Sequence, residues 1–166
     1  TVSDGTNSVS QAIIISVTNL EEEPIINNFL APAGSSNTVS FEDCGGCNTG
    51  VFGKWYSVLM REGLTSVGTV VGFDGDGDSL TYSLTNYGNT NNGDENNSYF
   101  NLNSSTGVLS LKEPTNYESP MCGNGNKSGT VIYPGSTFAR YCIVQVEVTD
   151  GKNSSLRAQI RIGVLN

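Results

Sequence analysis

The sequence contains no histidine, few charged side chains and no long apolar run. Only 14% of its 166 residues are Asp, Glu, Lys or Arg, and the net charge is −8. Without histidine the chain lacks the commonest general base and the commonest ligand of transition metals. The acidic charge argues against binding to nucleic acid, and the short apolar runs argue against insertion into a membrane. No nucleophile–base set is apparent, so we do not expect an enzyme.

Apolar residues occur in short β-branched runs, many of which alternate with polar residues as half-buried strands do. Clusters of Gly, Asn, Asp and Ser separate the runs and supply turn chemistry. The pattern predicts an all-β fold, and the number of short strands favours a Greek-key β-sandwich. The predicted strands cover residues 9–17, 57–60, 67–71, 80–84, 99–102, 108–111, 137–148 and 156–164.

The four cysteines favour disulfides formed in an oxidising, extracellular compartment. Cys44 and Cys47 have the spacing of a zinc knuckle, but Cys122 and Cys142 lie about twenty residues apart and no histidine can replace them. Zinc is therefore disfavoured. We expect disulfides between Cys122 and Cys142 and between Cys44 and Cys47, and a crossed pairing stays open.

Two segments of the chain resemble each other. Residues 1–8 (TVSDGTNS) and the strand that follows are similar to residues 148–155 (VTDGKNSS) and the strand after them. A repeated segment at this separation suggests a tandem array. We predict that residues 1–23 are the terminal strands and linker of a preceding repeat, and that residues 24–166 form one complete repeat. The strand predicted at 9–17 then joins the sheet of that preceding repeat, or a neighbouring chain by β-augmentation.

Three aspartates alternate with glycines at residues 74–78 (DGDGD), namely Asp74, Asp76 and Asp78. Such a loop can turn several carboxylates towards one cation, and Ca²⁺ accepts many oxygen ligands in loose geometry. An EF-hand is excluded because Ser79 and Thr85 stand where that loop needs glycine and glutamate.

An ordered series of motifs resembles cadherin-like repeats of bacterial type. It starts with VGTVVGFDGDGDSLTYSL at 67–84 and continues with FNL at 100–102, TGVL at 106–109, NYE at 116–118 and VEVTDG at 146–151. The resemblance covers about two thirds of the chain and implies a cadherin/immunoglobulin-like sandwich. It also implies Ca²⁺ between consecutive repeats, in a structural or adhesive repeat of a long protein or filament at the cell surface. The expected partners are neighbouring repeats of the same chain or like chains in a filament.

The resemblance assigns the acidic residues to two junctions. At the front junction it implies ligands from the 74–78 loop, from the turn at 150 and from the preceding linker, where glutamates replace the usual Asp and Asn. At the rear junction it implies a second, weaker set of two glutamates. The front residues are Asp74, Asp76, Asp150, Glu21, Glu22 and Glu23, and the rear residues are Glu62 and Glu118.

Two stretches fall outside the resemblance, near residues 31–60 and 120–137. The insertions around Trp55 and Tyr133 give an alternative function, in which the chain binds a glycan or a peptide of a surface protein. In that case Trp55 and Tyr56 form a platform, although packing at the end of the sandwich is the favoured role of Trp55. N-glycosylation motifs occur at Asn96, Asn103, Asn126 and Asn153 at the frequency that chance predicts.

Overall fold

The structure is a computed structural model that describes residues 1–18, 20–42, 52–85, 96–118, 131–133, 136–138, 142–155 and 157–166. The described part is built from β-strands, with one 3₁₀ turn at Asn96–Tyr99. None of its helical segments has the length and hydropathy of a membrane span. The strands are β1 Val2–Ser3, β2 Ser8–Val9, β3 Ile25–Leu30, β4 Thr38–Glu42, β5 Phe52–Arg61, β6 Ser66–Phe73, β7 Thr81–Leu84, β8 Phe100–Leu102, β9 Val108–Leu111, β10 Val131–Tyr133, β11 Ser136–Phe138, β12 Cys142–Thr149 and β13 Arg157–Leu165.

Two sheets form a sandwich. One has the order β4-β5-β13-β12-β7 and the other has the order β3-β6-β9-β8, while β1-β2 and β10-β11 are separate hairpins. Within the two sheets, β5 and β13 run parallel and the other neighbours run antiparallel. The chain changes sheet between β3 and β4, between β5 and β6, between β6 and β7, and between β7 and β8. The all-β Greek-key sandwich expected from the sequence is therefore confirmed.

The core lies between the sheets and follows the two-residue period of the strands. In β5, β12 and β13 every second side chain is buried against the opposite sheet, since successive side chains of a strand point to opposite faces. The buried apolar residues are Tyr56, Val58 and Met60 of β5, Val144, Val146 and Val148 of β12, Ala158, Ile160 and Ile162 of β13, and Ile26, Phe29, Val67, Val70, Phe100, Leu109 and Leu111 of the other sheet.

The pairing registers define two ends of the sandwich, which we name front and rear. At the front, Ile25 pairs with Phe73, so the linker enters where β6 finishes. Thr149 pairs with Thr81, so the turn between β12 and β13 lies at the same end. At the rear, Arg61 pairs with Leu165, where β5 and β13 finish together.

Most predicted strands are confirmed, with bounds that match or are shifted by up to five residues. The strand predicted at 9–17 is wrong, because β2 stops at Val9 and residues 10–18 form no strand in the described chain. All of these residues are exposed, including Ile13 at 83% and Ile15 at 81%. β-branched residues favour a strand only where a neighbouring strand offers hydrogen bonds, and this segment has no such neighbour among the described residues.

The pattern also missed four strands: β1, β3, β4 and β10. The first insertion is not a plain loop, because β4 and β5 lie within it and β5 inserts between β4 and β13. The 137–148 prediction divides into β11 and β12, with residues between them outside the described part.

The cysteine predictions are tested at one residue. Cys142 begins β12, is buried and is disulfide-bonded. Cys44, Cys47 and Cys122 lie outside the described residues, so the predicted pairings stay predictions.

Candidate metal centre

The loop after β6 is organised by the carboxylate of Asp74. Its Oδ1 accepts the backbone N–H groups of Asp76 at 2.9 Å and of Asp78 at 3.0 Å. Gly77 takes a φ of 78°, in the left-handed region that favours glycine. Asp74 is only 8% exposed, and its Oδ2 is buried without a hydrogen-bond partner among the described residues.

The linker lies against this loop. The backbone N–H of Glu22 donates to Oδ2 of Asp76 over 2.8 Å. Oε2 of Glu22 sits against the backbone of Gly75, where a Cβ atom would collide with it. Two residues further on, the buried Pro24 leads into β3. The absence of a side chain at Gly75 thus allows the Glu22 carboxylate to approach the loop.

The turn between β12 and β13 brings Asp150 to the front end. Its Oδ1 accepts the N–H groups of Lys152 and Asn153, both at 2.6 Å. The hydrogen bond from Asn153, followed by that from Lys152, holds the pKa of Asp150 below its ordinary value. Oδ2 of Asp150 is buried and has no hydrogen-bond partner in the part of the chain that the structure describes.

Lys152 joins the three segments. Its Nζ lies 2.7 Å from Oε1 of Glu21 and 3.0 Å from Oδ2 of Asp78. The hydrogen bond to Glu21, followed by that to Asp78, raises the pKa of Lys152 well above its ordinary value. Sequence reasoning missed this lysine. The available signal was its presence in an otherwise acidic set, at a position where the similar turn at 4–7 carries Thr6.

The structure thus brings most of the predicted front residues together. A continuous network of hydrogen bonds and ion pairs links the linker, the loop and the turn, while Glu23 is exposed beside it. Within the described ranges no three acidic side chains already surround a metal position. The carboxylates instead meet N–H groups and an ammonium. The network contains Glu21, Glu22, Asp74, Asp76, Asp78, Asp150 and Lys152.

Two carboxylate oxygens at the front end, Oδ2 of Asp74 and Oδ2 of Asp150, are suitable ligands for a hard cation. Asp74 and Asp150 each turn one carboxylate oxygen towards backbone N–H groups, and the other oxygen is buried with no hydrogen-bond partner within the described ranges. Buried carboxylate oxygens are normally hydrogen-bonded or bound to metal, because their desolvation is costly. Oxygen ligands of this kind suit Ca²⁺.

The second predicted pair, Glu62 and Glu118, lies at the rear end of the sandwich. Oε2 of Glu62 accepts the N–H of Tyr117 at 3.3 Å. The N–H of Glu62 donates to the carbonyl of Leu165 at 2.9 Å, which brings the end of β13 to the same place. Glu118 follows Tyr117 and is exposed. The geometry brings Glu62 next to the segment that carries Glu118, without a metal group among the described residues.

The turn at Asp4 reproduces the turn at Asp150. Oδ1 of Asp4 accepts the N–H groups of Thr6 at 2.9 Å and Asn7 at 2.7 Å, and its N–H donates to the carbonyl of Asn7 at 3.2 Å. Gly5 has a φ of 91° and Gly151 a φ of 93°. The sequence similarity of the two segments therefore extends to their turn geometry.

A hydroxyl completes the same pattern in both turns. Oγ of Ser3 donates to the carbonyl of Asn7 at 2.9 Å, and Oγ1 of Thr149 donates to the carbonyl of Asn153 at 2.6 Å. The strands on either side pair alike, since Ser3 pairs with Ser8 and Thr149 with Ser154. Each turn is thus closed by the same side-chain and backbone bonds.

The aromatic residues of the first insertion have separate roles. Tyr56 is 2% exposed and packs on Phe29 and Phe41, with ring centroids 5.9 and 5.7 Å away. Burial raises the pKa of its hydroxyl. Trp55 points to the other face of the sheet, where the Arg161 guanidinium lies 4.1 Å from its ring centroid. Trp55 and Tyr56 therefore do not form a shared ligand platform. Tyr133 closes β10.

Three of the four glycosylation motifs fall within the described residues. Asn96 begins the 3₁₀ turn, and Asn153 belongs to the Asp150 turn. Asn103 is exposed, and its Oδ1 accepts the N–H groups of Ser105 and Thr106. Asn126 lies outside the described part.

No family profile matches the chain, and no curated protein does. Solved structures do match. They include human protocadherin-24 EC1-2, which is 19% identical over 77% of this chain and 44% of that chain, with a TM-score of 0.43. Mouse clustered PcdhgC3 EC1-3 is 17% identical over 79% and 34%, with a TM-score of 0.42. Protocadherin gamma B2 extracellular cadherin domains 1-5 is 22% identical over 78% and 19%, with a TM-score of 0.42.

The matched structures are protocadherins. The chain spans less than half the length of each. At these identities the likeness concerns the fold alone, so the function proposed below depends on the residues of this chain.

Proposed function

We propose that the chain is a cadherin-like structural or adhesive repeat of a long extracellular protein, stiffened by Ca²⁺ at the junction in front of it. Residues 24–166 are the repeat, and residues 1–23 are the last strands and linker of the repeat before it. Ca²⁺ holds the linker, the 74–78 loop and the Asp150 turn together.

The observation that carries the proposal is that Oδ2 of Asp74 is buried and finds no hydrogen-bond partner among the residues that the structure describes. The other oxygen of this carboxylate already fixes the loop through two N–H groups, so the side chain cannot swing away without undoing the loop. A bound cation would give Oδ2 the partner it lacks. Asp150 lies at the same end of the sandwich and is arranged in the same way: its Oδ1 accepts two backbone N–H groups, and its Oδ2 is buried without a partner among the described residues.

The charges of the linker support the same cation. Glu21, Glu22 and Glu23 are adjacent, and Glu22 already lies against the loop that carries Asp74 and Asp76. Carboxylates this close repel one another unless a positive charge lies between them. Binding of Ca²⁺ would replace that repulsion by attraction and fix the direction in which the linker leaves the repeat.

The repeated turn supports the domain assignment. In the second copy the turn leads into β13, which lies between β5 and β12 in the five-stranded sheet. The first copy has the same turn followed by an exposed apolar segment. That segment would be the counterpart of β13 in a sheet of the preceding repeat.

The rear pair fits a second junction of the same kind. Glu62 and Glu118 would supply oxygens there, together with residues of a following linker. With only one of these two carboxylates tied into the structure by a described hydrogen bond, we expect this site to bind more weakly than the front site.

The compartment follows from the cysteines. A buried disulfide at Cys142 is stable in an oxidising environment, which supports an extracellular location. The expected partners are neighbouring repeats or like chains in a filament. Glycan binding at Trp55 draws no support from the geometry, because the guanidinium of Arg161 covers one face of the ring.

Calorimetric titration with Ca²⁺ tests the proposal. The unchanged chain should bind Ca²⁺, and Asp74→Asn and Asp150→Asn should each weaken binding at least tenfold by removing a charged ligand. Asp4→Asn is the matched control, because Asp4 makes the same turn away from the junction and its replacement should leave binding unchanged. Equal affinities in all four proteins would reject the site.

A further inference from the structure

Lys152 stands in the acidic front junction at a position where its turn does not require a lysine. The turn at 4–7 has the same hydrogen bonds with Thr6 at the corresponding place. The backbone N–H of Lys152, which any residue but proline supplies, makes the bond to Asp150. The ammonium group is therefore free to serve something other than the turn.

The ammonium joins two carboxylates from different parts of the chain. Nζ contacts Oε1 of Glu21 in the linker and Oδ2 of Asp78 in the loop. An ammonium is a compact cation with three donors, so it can hydrogen-bond two carboxylates at once and offset one of their two negative charges. In the sequence, Glu21 and Lys152 are 131 residues apart, so this contact fixes the linker to the far turn of the repeat.

We propose that Lys152 is a built-in cation of the front junction. It pairs with both Glu21 and Asp78 and docks the linker on the repeat, while the oxygens of Asp74, Asp150 and their neighbours remain for Ca²⁺. The part that concerns Ca²⁺ rests on the proposed function, whereas the docking of the linker does not. The junction then keeps part of its order without Ca²⁺ and binds fewer or weaker ions than its number of carboxylates suggests.

Two consequences distinguish this role from that of an ordinary surface lysine. In chelator the linker stays docked at low salt and loosens as salt rises, because ion pairs between exposed side chains are screened. Removal of the lysine frees two carboxylates, so the junction gains affinity or an additional site for Ca²⁺.

The test compares Lys152→Thr with Lys112→Thr. Threonine is already accommodated in the matching turn at Thr6, so the first variant should fold. Lys112 makes its contact elsewhere, to the carbonyl of Ser98, and its removal changes the net charge equally. Lys152→Arg retains the positive charge, and Asp78→Asn removes one partner without altering the turn between β12 and β13.

Hydrogen exchange at the Glu22 amide, measured in chelator, reports docking because this amide donates to Asp76. We expect the protection factor of this amide to fall about three- to tenfold in Lys152→Thr, which is the range expected when two exposed ion pairs are lost together. Asp78→Asn should lose part of the protection, and Lys152→Arg and Lys112→Thr should keep it. Calorimetry should show Ca²⁺ affinity rising about three- to tenfold in Lys152→Thr, or one more ion bound, relative to Lys112→Thr.

The inference is overturned if Lys152→Thr and Lys112→Thr agree in both measurements. It is also overturned if Ca²⁺ affinity falls in Lys152→Thr, because the lysine would then support the ion rather than take its place. Should no protein of the set bind Ca²⁺, the proposed function fails. In that case, hydrogen exchange at the Glu22 amide alone tests whether Lys152 docks the linker.

Discussion

The backbone N–H of Glu22 donates a hydrogen bond to Oδ2 of Asp76 over 2.8 Å, across 54 positions of the sequence. This bond connects the linker to the loop between β6 and β7. The carboxylate of Glu22 lies next to the backbone of Gly75 in the same loop. The direction of the linker is therefore set by the same loop that carries the buried Asp74. A change in that loop should alter both the linker and the cation site.

Gly75→Ala should separate the linker from the loop without unfolding the repeat. The new Cβ would meet the flexible end of Glu22, which can move aside. We expect the free energy of unfolding to stay within about 0.5 kcal/mol, while Ca²⁺ affinity falls several-fold. Ser79→Ala, at an exposed position of the same loop, is the control for calorimetry and urea unfolding. Unchanged affinity in Gly75→Ala would show that Glu22 contributes nothing to the site.

Gly107→Ala should destabilise the sandwich more than Gly34→Ala. Both glycines have φ near 70°, which costs an alanine about 1 kcal/mol. At Gly34 the space is open, but at Gly107 a Cβ would collide with the carbonyl oxygen of Val70. We expect an additional loss of about 2 kcal/mol in urea unfolding. Similar losses at both positions would contradict the packing of this turn on β6.

Ile13→Ala and Ile160→Ala compare one isoleucine from each of the two segments that follow the repeated turns. Ile160 is fully buried, and its truncation should cost about 2–5 kcal/mol. Ile13 is 83% exposed, so its truncation should leave the free energy of unfolding unchanged. A comparable loss at Ile13 would mean that the segment packs on this repeat, against its assignment to the preceding one.

The Asp4 turn predicts a pH dependence. The hydrogen bonds from the N–H groups of Asn7 and Thr6 hold the pKa of Asp4 below its ordinary value of 3.8. Because the folded pKa is the lower one, the charged form stabilises the hairpin above pH 3.8, and this contribution is lost as the pH falls through the folded pKa. A carboxyl titration by NMR should find Asp4 below its value in the urea-unfolded chain, with Asp150 shifted the same way in chelator. Equal values in the folded and unfolded chain would rule out the turn in solution.

Strands of the sandwich were predictable wherever apolar and polar residues alternate over a half-buried sheet. The prediction at 108–111 matches β9, and the turn before it is closed by a hydrogen bond from the N–H of Gly107 to the carbonyl of Asn103. Residues 9–17 failed for the opposite reason: Ile13 and Ile15 have strand propensity but no neighbouring strand in the described chain. Strand pairing is a tertiary property that a short run of residues cannot specify.

The acidic residues of the candidate site could be predicted from the sequence, but its lysine, Lys152, could not. The positions of Asp74, Asp76 and Asp150 followed from a resemblance that aligns loops at one end of the fold. Nothing in the spacing of the sequence places Lys152 beside Glu21, because their contact depends on how the linker meets a turn far along the chain.

Thermal unfolding in Ca²⁺ and in chelator tests the central claim most directly, with Asp74→Asn and Asp4→Asn beside the unchanged chain. An ion that binds only the folded state raises Tm in proportion to the logarithm of its concentration above Kd. The account predicts a rise of Tm with Ca²⁺ in the unchanged chain and in Asp4→Asn, and little or none in Asp74→Asn. The same Tm in Ca²⁺ and in chelator for the unchanged chain would contradict it.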